Sequence, residues 1–137
     1  IVELGCGPGL LLRDIADSLP AERVVGVDLS PYALEEADER LHGGAELLHA
    51  DGRRTGLEAE WFDAVVAVHV LGHVPEPVAK GLLAEAERLL APGGSLYIVE
   101  HGWHRIPDAP GLALDAVQRL LGGIHQMVTR VRQPAYE

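Results

Sequence analysis

The chain is poor in the groups that cross-link a fold or hold a metal. Cys6 is its only cysteine, so neither an internal disulfide nor a cysteine-based zinc site can form, and a cytoplasmic setting is the default. Cations are also scarce: 11 Lys and Arg stand against 21 Asp and Glu, for a net charge of −10 and a pI near 5.0. No broad basic surface is available to neutralise a phosphate backbone or an anionic lipid, which argues against nucleic acid as a partner. No apolar run reaches the ~20 residues needed to span a bilayer, and no basic-then-apolar leader precedes the first strand, so no membrane association is expected. The chain opens on Ile1, inside what reads as a strand, and an upstream segment is expected.

What remains is the material of one α/β domain over residues 1–137. Hydrophobic residues make up 47% of the 137, enough for a real core. Val2-Glu3-Leu4 reads as a short buried strand running into Gly5-Cys6-Gly7-Pro8-Gly9 and then a helix from Leu10 to Leu19, with apolar residues at 11, 12, 15, 16 and 19. Arg23 to Asp28 is an apolar run closing on an acid, as in a parallel strand buried on both faces. Ser30-Pro31 supplies an N-cap and a first-turn proline for a helix running to about His42. Further strands are expected at Ala45–Ala50, Phe62–Val70 and Ser95–Glu100, with a helix at Pro75–Leu90 and a last amphipathic helix over Leu112–Val131, weakened at Gly122-Gly123. Regular β-α-β alternation implies a Rossmann-like, doubly wound parallel sheet with helices on both faces. Its ligands bind beyond the carboxyl ends of the strands, where the strand order reverses.

The glycine turn decides which ligand. A dinucleotide fingerprint has the spacing G-x-G-x-x-G, its third glycine allowing close helix packing beside a bound pyrophosphate. Here Leu10 stands at that third place and Gly9 comes one residue early. The mismatch counts against an NAD-dependent oxidoreductase and suits a ligand whose amino-acid portion lies along the turn. Asp28 falls close to the ~20-residue spacing expected of an acid that accepts from ribose hydroxyls. Asp51, followed by Gly52, adds a polar point at the end of the third strand. Taken singly, the glycines suit a tight turn, Asp28 a helix cap or a solvent-facing acid, His73 a residue packed under the cofactor loop and the other histidines solvated loops; the glycine turn and Asp28 in combination favour a nucleotide site.

The chain resembles the class I S-adenosylmethionine-dependent methyltransferases of the small-molecule group. The matching pieces are Val2 to Gly9, Gly26-Val27-Asp28-Leu29-Ser30, Ala50-Asp51, Phe62 to Val66, His73-Val74-Pro75 and Leu90 to Leu96, in the family's order. The resemblance implies strand order 3-2-1-4-5, S-adenosylmethionine as cofactor, and methyl transfer to a small-molecule acceptor. It also implies that Glu3, Gly5, Cys6, Gly7 and Gly9 hold the methionine part, Asp28 the ribose, Leu29 a face of the adenine, and Asp51 with Gly52 the adenine edge. Val68 and His69 would lie beside the reacting methyl. His73, His101 and His104 follow two strands expected to be neighbours and are candidates for the substrate side, where imidazole suits proton removal. No metal site is expected, because Gly72 and Pro75 deny His69 and His73 a continuous helix. The family's two last strands and N-terminal cap are expected to be missing, which would leave the fifth strand as an unprotected edge. A non-catalytic nucleotide-binding module is the other reading these features allow.

Overall fold

The computed structural model describes residues 1–101, 113–115 and 126–132. Five parallel strands, β1 (Val2–Leu4), β2 (Val25–Asp28), β3 (Glu46–His49), β4 (Phe62–Val68) and β5 (Leu90–His101), lie in the order β3-β2-β1-β4-β5. The chain builds outward from β1 to β3 and then restarts on the other flank of β1 with β4. That reversal puts the crevice between β1 and β4 at the carboxyl ends of the strands.

Three helices cover the two faces. α3 (Glu76–Leu89) packs Ala79, Leu82, Leu83, Ala86 and Leu89 against Val2, Leu4, Val25, Val27 and Val65. α1 (Leu10–Ser18) and α2 (Pro31–Leu41) bury Leu12, Ile15, Ala37 and Leu41 around Cys6 and Val24, with Val66 against the same cluster. The alternation of Val65 and Val66 between the two clusters follows from the period of two along a strand. α2 begins as expected: the Ser30 hydroxyl accepts from the Ala33 N–H at 3.3 Å and Pro31 occupies the first turn.

Four sequence expectations are corrected. Leu112–Val131 is not one helix, since β6 (Ala113–Asp115) and β7 (Gln126–Arg132) fall within that range. β7 runs antiparallel along β5, from Ser95↔Arg132 to His101↔Gln126, and β6 pairs with β7 in turn, so the sheet has seven strands in the order β3-β2-β1-β4-β5-β7-β6. The two further strands are therefore present and β5 is not an edge. The physical reason is the row of N–H and C=O groups that β5 would otherwise leave unpaired, met by a segment whose Val128, Thr129 and Val131 suit a strand. β4 also ends at Val68 rather than Val70, because His69 turns to φ +54° and a 3₁₀ turn follows at Leu71–His73. Pro92-Gly93-Gly94 does not precede β5 but bulges within it: Phe62 faces Leu90 while Ala64 faces Ser95.

Candidate functional site: a glycine turn latched to an acid

The turn after β1 uses three glycines for three purposes. Gly5, Gly7 and Gly9 all have positive φ, at 74°, 52° and 74°. A Cβ on Gly5 would lie 2.5 Å from the Val70 side chain, and one on Gly9 would lie 2.9 Å from Ala37 Cβ. Gly9 thus seats α1 on α2, the work of the third glycine in a dinucleotide fingerprint performed one residue earlier. At Gly7 a Cβ would meet nothing within 4 Å, so the main chain there faces open space.

The turn is joined to β2 at two levels. Gly5 N and Cys6 N donate to the Val27 carbonyl at 2.7 and 3.0 Å. Gly7 N donates to Asp28 Oδ2 at 2.8 Å, while Ser30 N donates to Oδ1 at 2.8 Å. One carboxylate therefore orders the glycine turn and the start of α2 together. Gly26, which sequence reasoning included in a matching stretch without giving it a role, makes the close approach possible: a Cβ there would lie 2.4 Å from Leu12 and 2.9 Å from Cys6 Sγ. Its signal was a glycine in the middle of an apolar strand.

Glu3 is the unusual group of the site. It is 3% exposed, and its Oε2 has no hydrogen-bond partner among the described residues. Burial pushes its carboxyl up to about 8, and the charge of Asp28 adds to the effect. Cys6 packs inward at 5% exposure; burial first, and then Glu3 and Asp28, push its thiol up to about 12. It is thus a packed, protonated side chain rather than a nucleophile.

On the β3 side, Leu29 is 67% exposed next to Asp28, and His49 Nε2 lies 3.0 Å from its carbonyl oxygen. Ala50 N donates to the Asp28 carbonyl at 3.2 Å, which brings Asp51 and Gly52 to the same rim as Asp28. The Asp51 carboxylate is engaged by Arg53 through Nη2 at 2.6 Å and the main-chain N–H at 2.9 Å; those bonds hold its acid at about 2. The loop beyond is pinned from below. Glu85 Oε1 on α3 accepts from Thr55 N and Oγ1 at 2.9 and 2.6 Å, and Arg88 binds both Glu85 and the Leu57 carbonyl.

On the β4 side, Val68 closes the strand and His69, at φ +54°, donates its N–H to the Val99 carbonyl at 2.8 Å. Positive φ is costly for a residue with a Cβ, and such strain clusters at binding sites. Glu100, 2% exposed, supports this loop: its Oε1 accepts from Val70 N at 3.0 Å and Leu71 N at 2.7 Å. Sequence reasoning missed it, although an acid closing the apolar run Leu96–Val99 was the available signal. His73 is exposed in the turn rather than packed beneath the loop. β4 and β5 are neighbours as expected, and His101 ends β5; His104 lies outside the described residues. Trp61 is remote from the crevice, lining a cavity of about 450 Å³ with Arg23 and Ile1 at the amino ends of the strands. Among the described residues no helix is long and apolar enough to cross a membrane.

Comparison with known proteins gives the family and the fold. Residues 1–94 match the family described as a methyltransferase domain. The chain is 37% identical over 130 residues to the ubiquinone biosynthesis O-methyltransferase of Xanthomonas oryzae pv. oryzae, a match covering 88% of this chain and 51% of that protein. It thus spans about half the length of that curated relative. Among solved structures, a TehB-like SAM-dependent methyltransferase from Corynebacterium glutamicum shares the fold with a TM-score of 0.80 and 22% identity, over 96% of this chain and 78% of that one. The N-methyltransferase NodS from Bradyrhizobium japonicum, in complex with S-adenosyl-L-homocysteine, does so with a TM-score of 0.77 and 22% identity, over 97% and 76%. A glycine turn latched to the acid of the second strand, a 3-2-1-4-5 sheet and a family match over two thirds of the sequence lead to one assignment: this chain belongs to the methyltransferase-domain family, of the class I S-adenosylmethionine-dependent type.

Proposed function

We propose that the chain transfers a methyl group from S-adenosylmethionine to a small-molecule acceptor. The observation that carries this reading is the pairing of open main chain at Gly7 with a carboxylate, Asp28, that already touches the same residue at 2.8 Å. The residues fit the cofactor. Glu3 offers a buried carboxyl oxygen without a partner to an ammonium group, and Gly5, Cys6, Gly7 and Gly9 offer a turn free of obstructing side chains at Gly7. Asp28 offers charge to ribose hydroxyls, exposed Leu29 an apolar face to the adenine, and Asp51 with Gly52 the polar edge of the next loop. In this reading Val68 and His69 border the position of the methyl, with His73 after β4 and His101 at the end of β5 as the acceptor-side candidates; His104 lies outside the described residues.

When bound, the cofactor supplies a methyl on a positively charged sulfur, already activated toward a nucleophile. The task of the protein is to align donor and acceptor, an effect of about 7–11 kcal/mol in favourable cases. The stiff β4–β5 ladder and the Glu100 brace beneath Val70 and Leu71 suit that task. An imidazole beside the acceptor would add roughly 10²–10⁴-fold where a proton must leave. The net charge of −10 favours a small acceptor over nucleic acid, and the single cysteine suits a cytoplasmic protein. The name of the Xanthomonas relative makes oxygen acceptors the first class to screen.

Isothermal titration tests the reading. S-adenosylhomocysteine is expected to bind while NAD(H) does not, and Gly7→Val, which fills the open space, is expected to remove the binding. Binding of neither ligand by the unaltered protein overturns the proposal. Turnover of a screened acceptor separates an enzyme from a module that only binds.

A further inference from the structure

Among the described residues nothing pairs with Oε2 of the buried Glu3 carboxyl. On the neighbouring strands its pairing partners are Gly26 of β2 and Val66 of β4. Leu12 of α1 and the Cys6 side chain crowd the Gly26 position. Among the described residues the titratable groups coupled to it are Asp28 from β2 and Cys6 from the turn, and His69 follows three residues after Val66, its pairing partner on β4. Asp28 is itself an acid whose two oxygens are taken by Gly7 N and Ser30 N. A buried carboxylate with an open oxygen and no cation beside it is costly, and the less expensive state carries a proton. Beside it, the main chain at Gly7 opens onto the space where the proposed cofactor would lay its aminoacyl end.

We infer that Glu3 is neutral in the free protein and that the cofactor's α-ammonium displaces its proton, so cofactor uptake is an exchange of a proton for a cation at a buried carboxyl. This rests on the reading of the turn as the cofactor's site. In the exchange the carboxyl O–H bond breaks, its proton goes to solvent, and the carboxylate left behind accepts hydrogen bonds from the ligand's ammonium. No electrons move and no co-reactant is needed. Because burial and Asp28 hold the free acid up to about 8, the displaced proton has a price that falls as the pH rises. Affinity should therefore improve by about tenfold per pH unit below that point.

The test is titration of S-adenosylhomocysteine into the protein between pH 6 and 8, where the ligand's amino group stays protonated, in buffers of low and high ionisation enthalpy. At pH 7 the observed heat is expected to differ between buffers by the equivalent of roughly one released proton per ligand, and the Kd is expected to tighten at least tenfold from pH 6.5 to 8. Glu3→Gln, a neutral isostere of the protonated acid, should fold, bind more weakly, and lose both the buffer dependence and the pH dependence. Buffer-independent heat with a flat Kd in the unaltered protein overturns the exchange while leaving the cofactor site standing. The same pH dependence surviving in Glu3→Gln also overturns it, by assigning the proton elsewhere. Absence of binding at every pH condemns the site itself.

Discussion

Asp28 performs two tasks with one carboxylate. It orders the ligand-free turn through Gly7 N and Ser30 N, and in the proposed complex it also receives the ribose. Asp28→Ala is expected to weaken S-adenosylhomocysteine binding by about 1–3 kcal/mol, with Asp28→Asn intermediate because an amide oxygen still accepts one N–H; titration calorimetry reads both. Glu3 has a separate effect on the unliganded fold. Its acid is raised from 4.5 to about 8 by burial and by Asp28, so its contribution is complete below pH 4.5 and is lost as pH rises toward 8. At pH 8.5 Glu3→Gln should be more stable than the unaltered protein by an amount on the order of 2–5 kcal/mol, measured by urea unfolding, with the gap closing at pH 5.

Elements are held to one another by a few polar clusters whose parts lie far apart in sequence. Glu85 on α3 fixes Thr55, and Arg88 fixes Leu57, so the loop between β3 and β4 is fastened to a helix 30 residues away. Glu85→Ala leaves the Thr55 N–H and hydroxyl buried without an acceptor and should cost about 2–4 kcal/mol in urea unfolding. Burial pulls the Glu85 acid upward, but Arg88 and Thr55 outweigh it and bring it to about 2. This contribution is accordingly present above pH 4.5 and lost as pH falls toward 2, opposite in sign to that of Glu3. Such clusters also mark where sequence reading stops. β1, β2, β4 and the three helices were legible because their apolar periods and caps are local, and Gly5, Gly7 and Asp28 because their spacing is fixed by one β-α-β unit. Glu85, Glu100 and Gly26 were not, since each matters through a partner brought near only by the sheet. The range Leu112–Val131 was misread for a related reason: its apolar residues suit either period, and the choice was made by β5, which needed a partner.

At the scale of the whole molecule, that partner closes one flank of the parallel sheet. β7 occupies the flank of β5 over seven residue pairs, and Thr129 sits opposite Ile98 near their middle. Thr129→Pro places in the paired middle of β7 a residue that has no N–H and does not suit a paired strand, and it should destabilise the fold. The protein should then associate through the bared flank of β5, which light scattering against temperature would register. Connectivity has one more consequence. Val2 and Glu3 of the interior strand β1 must pair with Val65 and Val66, so on the ribosome β1 waits for more than sixty further residues before its second side is closed. At the usual ~5–20 residues per second that interval is about 3–13 s. For that time the nascent chain carries the future middle of its sheet as a bare margin, which is when a chaperone would matter most to it.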